Sequence, residues 1–208
     1  MDLVAPPTAA DLALLERLPL NEAAMKRGAG IDAFVNGLSG LALKRKLYLE
    51  PTCTICGLDA GYQGAGAKTV MPAEARAKLD FRLVDGLDPA TVARLLRAHL
   101  DRRGFGDVET ELIGGLHPAK TPADAPIVTA AVAAARALSG REPAVTPTSA
   151  GSGPMHLLCQ GLGIPAVAAG AIGRPDSGIH APNERIEVAD YHAAIRFAGH
   201  LYDRFARA

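Results

Sequence analysis

The chain has 208 residues and a hydrophobic content of 49%, which is enough for a buried core and excludes wholesale disorder. Its 22 Lys and Arg residues balance 22 Asp and Glu residues, and this zero net charge argues against nucleic acid as the main partner. Three cysteines are too few for a disulfide scaffold. No apolar run approaches the roughly 20 residues of a membrane span, and no signal segment opens the chain, so we expect a soluble cytoplasmic protein without a membrane partner.

Residues 1–50 predict a connecting segment rather than a compact core. Thr8 follows two prolines and is placed to cap a helix, with Asp11 near the amides of its first turn. Residues 21–46 mix charges, glycine and short apolar groups. We therefore expect a mobile connection that contains one short helix.

Residues 51–115 predict an α+β unit. Segments 51–58 and 73–84 are strand-like, and the second alternates apolar and charged side chains, so that one face is apolar. Asp88-Pro89 begins a helix, and residues 108–113 alternate again as a third strand. This order favours an antiparallel sheet with a helix on one face.

Residues 116–208 predict a layered α/β unit. One helix begins near Asp124, another begins at Ser152, and a long helix ends the chain. Between the last two lies a short apolar run, 164–169, which is typical of a strand that is covered on both faces. The Pro- and Gly-rich stretch 114–122 is the predicted boundary.

His180 lies in a tight loop that follows the predicted buried strand. Loops at the carboxyl ends of such strands are where α/β domains place their sites. Neighbouring Pro, Asn and Glu residues could hold the imidazole in one tautomer, as a metal ligand requires. The alternative interpretation is a hydrogen-bonded structural histidine.

Two further residues have a structural and a functional interpretation. Ser152 lacks the flanking glycines of a nucleophile elbow, so its hydroxyl is a helix cap or a group that holds a ligand. Arg82 lies on the charged face of a predicted strand, where it is either solvated or able to grip a substrate carboxylate with its guanidinium fork.

Several motifs occur in a consistent order along the chain. They are Pro51-Thr52 with the Gly-rich stretch Gly61–Pro72, then Phe81-Arg82-Leu83-Val84, Asp88-Pro89, Ala150-Gly151-Ser152-Gly153-Pro154 and Ile179-His180-Ala181-Pro182-Asn183-Glu184. Together they resemble the M20 metallopeptidases, and in particular the carnosine-dipeptidase-like branch. The last motif matches the family's His-Ser/Ala-x-Asn-Glu signature, and the one before it is similar to the family's Gly-Gly-Ser-x-Pro turn.

The resemblance implies a fold of two parts, α/β and α+β. Residues 1–50 would lead into the lid, residues 51–115 would form a lid or dimerisation domain of antiparallel sheet with helices, and residues 116–208 would form the carboxyl-terminal part of a layered α/β zinc-peptidase domain. The resemblance also implies a homodimer through the lid domain.

The resemblance further implies a reaction and roles for five residues. The family hydrolyses amide bonds of small peptides or N-acyl amino acids with two divalent metals, usually zinc, with manganese or cobalt as alternatives. His180 would be a metal ligand, whereas substrate contacts would come from four residues: Thr69, Arg82, Gly151 and Ser152.

The family's other metal ligands are missing from this sequence. The family's amino-terminal His-x-Asp motif, its bridging Asp and the Glu-Glu pair that includes the general base have no counterpart here. No catalytic residue is therefore assigned, and we expect the chain to be inactive by itself, as one part of a longer hydrolase. The alternatives are a non-catalytic dimerisation or regulatory module, and an N-acyl amino acid deacylase or desuccinylase parent.

Overall fold

The structure, a computed structural model, describes residues 4–170, 174 and 176–207, and it combines helices with one antiparallel sheet. This mixed α/β composition confirms the predicted fold class. The chain divides into two compact units: the first contains Leu49–Pro118, and the second contains Pro6–Tyr48 with the described residues from Ala119 onward. Within the described ranges, no helix combines the length and apolar character that crossing a membrane requires.

The first helices of the chain belong to the second unit. They are α1 (Ala9–Arg17), α2 (Glu22–Ala29) and α3 (Gly40–Leu49), with a single 3-10 turn at Val35–Gly37. Thr8 caps α1 as predicted, because its hydroxyl accepts the amide N–H of Asp11 at 3.1 Å. The prediction of a mobile connection with one short helix is wrong: Asn21 caps α2, and Gly30 ends it with a left-handed φ of 65°.

Side chains attach these helices to the rest of the second unit. Lys44 Nζ donates to the carbonyl oxygen of Leu15 at 2.8 Å, and Leu15 is fully buried. Lys120 Nζ donates to Asp11 Oδ2 at 2.7 Å, across more than half of the sequence. Residues 6–48 are thus a packed part of this unit.

The remaining helices of the second unit are α5 (Pro126–Ser139), α6 (Met155–Leu158) and α7 (Val188–Phe205), with a 3-10 turn at Gln160–Leu162. Ala131 and Ala134 of α5 pack with Phe197 of α7 in a buried cluster. Gly140 ends α5, with a φ of 67°.

The predicted buried strand at 164–169 is wrong. Val167 packs against the α5–α7 cluster, but Ile164 is 52% exposed. The amide of Ala166 donates to the hydroxyl of Thr121 rather than to a neighbouring strand. The described part of this unit contains no strand, so this apolar segment has none to pair with.

The first unit consists of an antiparallel hairpin and a helix. Its elements are β1 (Thr52–Ala60), β2 (Ala75–Arg82) and α4 (Pro89–Arg102), as the sequence predicts. The third predicted strand, 108–113, is wrong: the described residues there form no strand. Arg97 instead donates to the carbonyl oxygen of Val108, so this backbone group is bonded to a side chain of α4 and not to a strand.

Candidate functional site

The residues around His180 form a loop whose two ends are joined. The amide of Arg185 donates to the carbonyl oxygen of Ser177 at 2.9 Å. The guanidinium of Arg185 also pairs with the carboxylate of Asp176 at 3.1 Å. These two contacts close the loop from 177 to 185 at its base.

The base of the loop is attached to α7. Ser177 is 5% exposed, and its hydroxyl accepts the amide N–H of Arg174 at 2.8 Å. The guanidinium of Arg174 in turn binds Asp190 in the first turn of α7, with an Nη2–Oδ1 distance of 2.8 Å. This hydrogen bond lowers the pKa of Asp190 and raises the pKa of Arg174. The loop is therefore held by a charged pair at the start of a long helix.

His180 occupies a strained backbone position at the tip of this loop. The amide of Ala181 donates to the carbonyl oxygen of Gly178 at 2.8 Å, which closes a β-turn with Ile179 and His180 as its central residues. His180 has a φ of 62°, a value that a type II turn requires at its third position and that Gly or Asn usually supplies. A left-handed conformation costs an L-residue about 1–2 kcal/mol. The closed loop sustains this conformation and presents an exposed imidazole.

Gly151 and Ser152 lie in an exposed segment that precedes α6. The amide of Gly151 donates to the hydroxyl of Ser149 at 3.3 Å. The N-cap of α6 is Pro154, and no side chain caps the helix. The interpretation of Ser152 as a helix cap is therefore wrong, whereas a role in holding a ligand stays a prediction.

Arg82 and Thr69 lie in the first unit. Arg82 is the last residue of β2, where its Nε pairs with Asp80 at 2.8 Å and 55% of its side chain is exposed. Thr69 is exposed in the connection between the two strands. The start of that connection is ordered by Gln63, whose amide nitrogen donates to the carbonyl oxygen of Ala60 at 2.7 Å.

The donor atoms of the described residues do not fit a complete metal centre. In this part of the chain, no three His, Cys, Asp or Glu side chains lie together in a group that could hold a metal ion. A zinc site requires three or four protein ligands, and His180 is one exposed imidazole without two such neighbours among the described residues.

The sequence predicted the tight loop around His180 but not the contacts that hold it. Asp176, Ser177 and Gly178 are turn-forming types, so their succession indicated a tight loop. The pair of Arg174 and Asp190 gave no such signal, because 16 residues separate them and no local pattern connects them.

Comparisons with known proteins place the chain in a family. The sequence model of peptidase family M20/M25/M40 matches residues 13–204. The Cys-Gly metallodipeptidase DUG1 of Saccharomyces cerevisiae is 29% identical over 152 residues, which are 70% of this chain and 31% of that protein. The Beta-Ala-His dipeptidase of Rattus norvegicus is 24% identical over 195 residues, 91% of this chain and 39% of that protein.

A solved structure supports the same assignment. The M20 family metallo-carboxypeptidase of Sulfolobus solfataricus superposes with a TM-score of 0.90 and 34% identity, over 100% of this chain and 47% of its own. The chain thus spans less than half the length of the relatives that it matches. The family resemblance of the motifs is confirmed, and the chain belongs to peptidase family M20/M25/M40.

Proposed function

We propose that this chain is the carboxyl-terminal part of a dinuclear-metal dipeptidase or related amidohydrolase, and that it is inactive by itself. The parent enzyme would cleave the amide bond of dipeptides or N-acyl amino acids. The observation that carries the proposal is the exposed His180 on a closed turn, in a chain that belongs to the M20 family. Two relatives whose names describe dipeptidases support the substrate class.

His180 is proposed as one ligand of the metal centre. An imidazole that coordinates a metal must be accessible and held in one orientation. His180 is exposed, and the Ser177–Arg185 closure together with the Arg174–Asp190 pair restricts the backbone around it. Zinc is the proposed metal, with manganese or cobalt as alternatives.

The remaining ligands and the general base would come from a different polypeptide segment. Since the described residues contain no group that could hold a metal, a catalytic centre would assemble only when that segment is present. This requirement is the reason for the proposed inactivity of the isolated chain.

The residues proposed to contact the substrate are exposed and occur in both units. Gly151 and Ser152 are exposed and their immediate neighbours in sequence are small, so a ligand can approach the Ser152 hydroxyl and the backbone beside it. Arg82 carries a guanidinium, which is suited to a terminal carboxylate, and Thr69 carries a hydroxyl on the connection between strands. We also propose that the enzyme forms a homodimer through the first unit. Its proposed location is the cytoplasm.

A hydrolysis assay tests this function. The purified chain is supplied with Zn²⁺, Mn²⁺ or Co²⁺ and incubated with a panel of dipeptides and N-acyl amino acids. We expect no metal-dependent release of amino acids above the buffer blank. Metal-dependent turnover by the chain alone would contradict the proposal.

The exposed His180 also bears on the alternative of a non-catalytic module. A module that had lost the chemistry would have no reason to keep a histidine in a strained and exposed conformation. The strained φ of 62° therefore favours the hydrolase interpretation.

A further inference from the structure

Two ion pairs flank the loop that carries His180, and they differ in strength. Arg185 reaches Asp176 through one contact, and the two side chains are 56% and 72% exposed. An exposed pair of this kind contributes little in water. Arg174 instead binds Asp190 through two nitrogens, Nε and Nη2, and the Asp190 side chain is only 26% exposed. A two-point contact between a guanidinium and a carboxylate fixes orientation as well as distance, so the second pair is the stronger restraint.

A continuous series of hydrogen bonds leads from Asp190 to the loop. Asp190 binds the guanidinium of Arg174. The backbone of Arg174 is bonded twice to Ser177, since its amide donates to the Ser177 hydroxyl at 2.8 Å and its carbonyl oxygen accepts the Ser177 amide N–H at 2.9 Å. The carbonyl oxygen of Ser177 then accepts the amide N–H of Arg185, which closes the loop. Each contact fixes the next, so the position of Asp190 determines where the loop begins and ends.

The loop is compact enough to transmit this restraint to His180. A Cβ at Gly178 would lie 3.8 Å from the Cα of Glu184, so the two sides of the loop run close together. The carbonyl oxygen of Gly178 also accepts the amide N–H of Ala181 at 2.8 Å. His180 lies only three residues beyond Ser177. A displacement of Ser177 would therefore move the turn that presents the imidazole.

Asp190 has a fixed position because it belongs to a packed helix. It lies in the first turn of α7, where its amide donates to the carbonyl oxygen of Glu187 at 3.0 Å. Further along α7, Phe197 is buried against Ala131 and Ala134 of α5. The loop residues from 179 to 185, in contrast, are all exposed. The helix therefore serves as the rigid support of a loop that has little packing of its own.

We propose that Asp190 is a positioning residue for His180, and that it acts through Arg174 and Ser177. The inference rests on the proposed function, in which His180 is a metal ligand. The contacts behind a metal ligand set its orientation, and a binding group must be held within about 0.5 Å of its productive place. The exposed ion pair at the base of the loop is not required for this role.

NMR spectroscopy of the isolated chain without metal tests the role of Asp190. Asp190→Asn keeps the shape of the side chain but removes its charge, and Asp190→Glu keeps the carboxylate and serves as the rescue variant. Asp203→Asn is the matched control, because Asp203 lies on the same helix and forms an exposed pair with Arg207. Asp176→Asn removes the exposed ion pair of the loop itself.

Wild type should show a rigid backbone at His180, with an amide order parameter of about 0.85, and Asp190→Asn should lower this value below about 0.6. Hydrogen exchange at the amide of Ala181 should become about tenfold faster through local opening. Asp203→Asn and Asp176→Asn should match wild type, and Asp190→Glu should restore both quantities at least in part. The melting temperature of Asp190→Asn, and exchange at Ala134 in the buried α5–α7 cluster, should stay as in wild type.

The proposal is overturned if Asp190→Asn leaves His180 rigid, if Asp176→Asn loosens it equally, or if Asp190→Glu restores nothing. Exchange that accelerates at Ala134 by the same factor as at Ala181 would show a general loss of stability in place of a positioning role, and would also overturn it. Because these measurements involve neither metal nor catalysis, their failure is distinguishable from metal-dependent turnover by the isolated chain, which would overturn the proposed function.

Discussion

The amide of Arg185 donates to the carbonyl oxygen of Ser177 at 2.9 Å and closes the loop that carries His180. This contact joins Ser177, which is 5% exposed, to Arg185 at the other end of the loop. A strained turn persists only where surrounding contacts fix its conformation, and the hydrogen bond between Arg185 and Ser177 is such a contact. The loop therefore holds an exposed imidazole at an energetic cost, which is a pattern expected of a functional position rather than of a packing residue.

Replacing His180 with glycine should not destabilise the protein. Glycine adopts a φ near 62° without steric penalty, and the relief of about 1–2 kcal/mol offsets the greater entropy of glycine in the unfolded chain. We expect a free energy of unfolding, measured in urea, that is equal to or above that of wild type. The matched control is Ile179→Gly, at the neighbouring turn position, which should lose about 0.5–1 kcal/mol. A loss with His180→Gly as large as that of the control would contradict the role of strain.

Ser177→Ala should loosen the loop. The substitution removes the hydroxyl that accepts the amide of Arg174, and the loss of one such hydrogen bond costs about 0.5–1.5 kcal/mol. Hydrogen exchange should show faster exchange at the amides of Ala181 and Arg185, which close the turn and the loop. Ser139→Ala, which removes an exposed hydroxyl at the end of α5, should leave exchange at these amides unchanged.

The pair of Asp11 and Lys120 should make stability depend on pH in the acid range. Burial raises the pKa of Asp11, but hydrogen bonds from Lys120 and Thr8 outweigh it and hold the pKa below its ordinary value of 3.8. A carboxylate with a depressed pKa stabilises the fold fully above its unfolded pKa and loses that contribution as the pH falls through its folded pKa.

Asp11→Asn should therefore lower the free energy of unfolding at pH 7 by about 1–3 kcal/mol. The difference from wild type should shrink below the ordinary carboxyl pKa of 3.8. Urea unfolding at a series of pH values measures both effects, with the exposed Asp124→Asn as control. A difference that stays constant down to pH 2 would show that the carboxylate charge is not responsible.

Two glycine substitutions should have opposite effects on stability. A Cβ at Gly170 would lie 2.7 Å from the ring of Phe197, and its φ of 71° also disfavours a side chain. Since Phe197 belongs to the buried α5–α7 cluster, Gly170→Ala should cost about 1–3 kcal/mol. Gly199→Ala in α7, where a Cβ meets nothing within 4 Å, should gain about 0.5–1 kcal/mol. Thermal unfolding compares the two, and a stable Gly170→Ala variant would contradict the described packing.

The positions of α1, α4 and α5 were predictable because the signals at their ends are local. Thr8 and Asp88 each accept an amide three residues onward, and Gly140 adopts the left-handed conformation that ends α5. These interactions depend only on neighbouring residues. These helix ends could therefore be predicted from the sequence alone.

The segments 108–113 and 164–169 were predicted as strands and form none in the described structure. Alternation and apolar runs show that a segment suits a strand, but a strand exists only where another strand pairs with it. Such a partner is a property of the assembled fold, and no pattern inside either segment reports it.

The residue types of the candidate site could be predicted from the sequence, whereas the contacts that hold its loop could not. The turn-forming residues around His180 indicated a tight loop, and the structure contains one. The link from Arg174 to Asp190 arises from tertiary geometry. It could not be read from local spacing, although it holds the loop that carries His180.

The proposed function requires that this chain supply only one ligand of a metal centre. Its zinc content after incubation with Zn²⁺ and extensive dialysis, measured by mass spectrometry, tests that claim directly. We expect less than one zinc ion per chain to remain, and no change in melting temperature on adding Zn²⁺ or a chelator. Retention of one or two zinc ions per chain, with loss of both metal and stability in His180→Ala, would show a complete centre in this chain and contradict the proposed function.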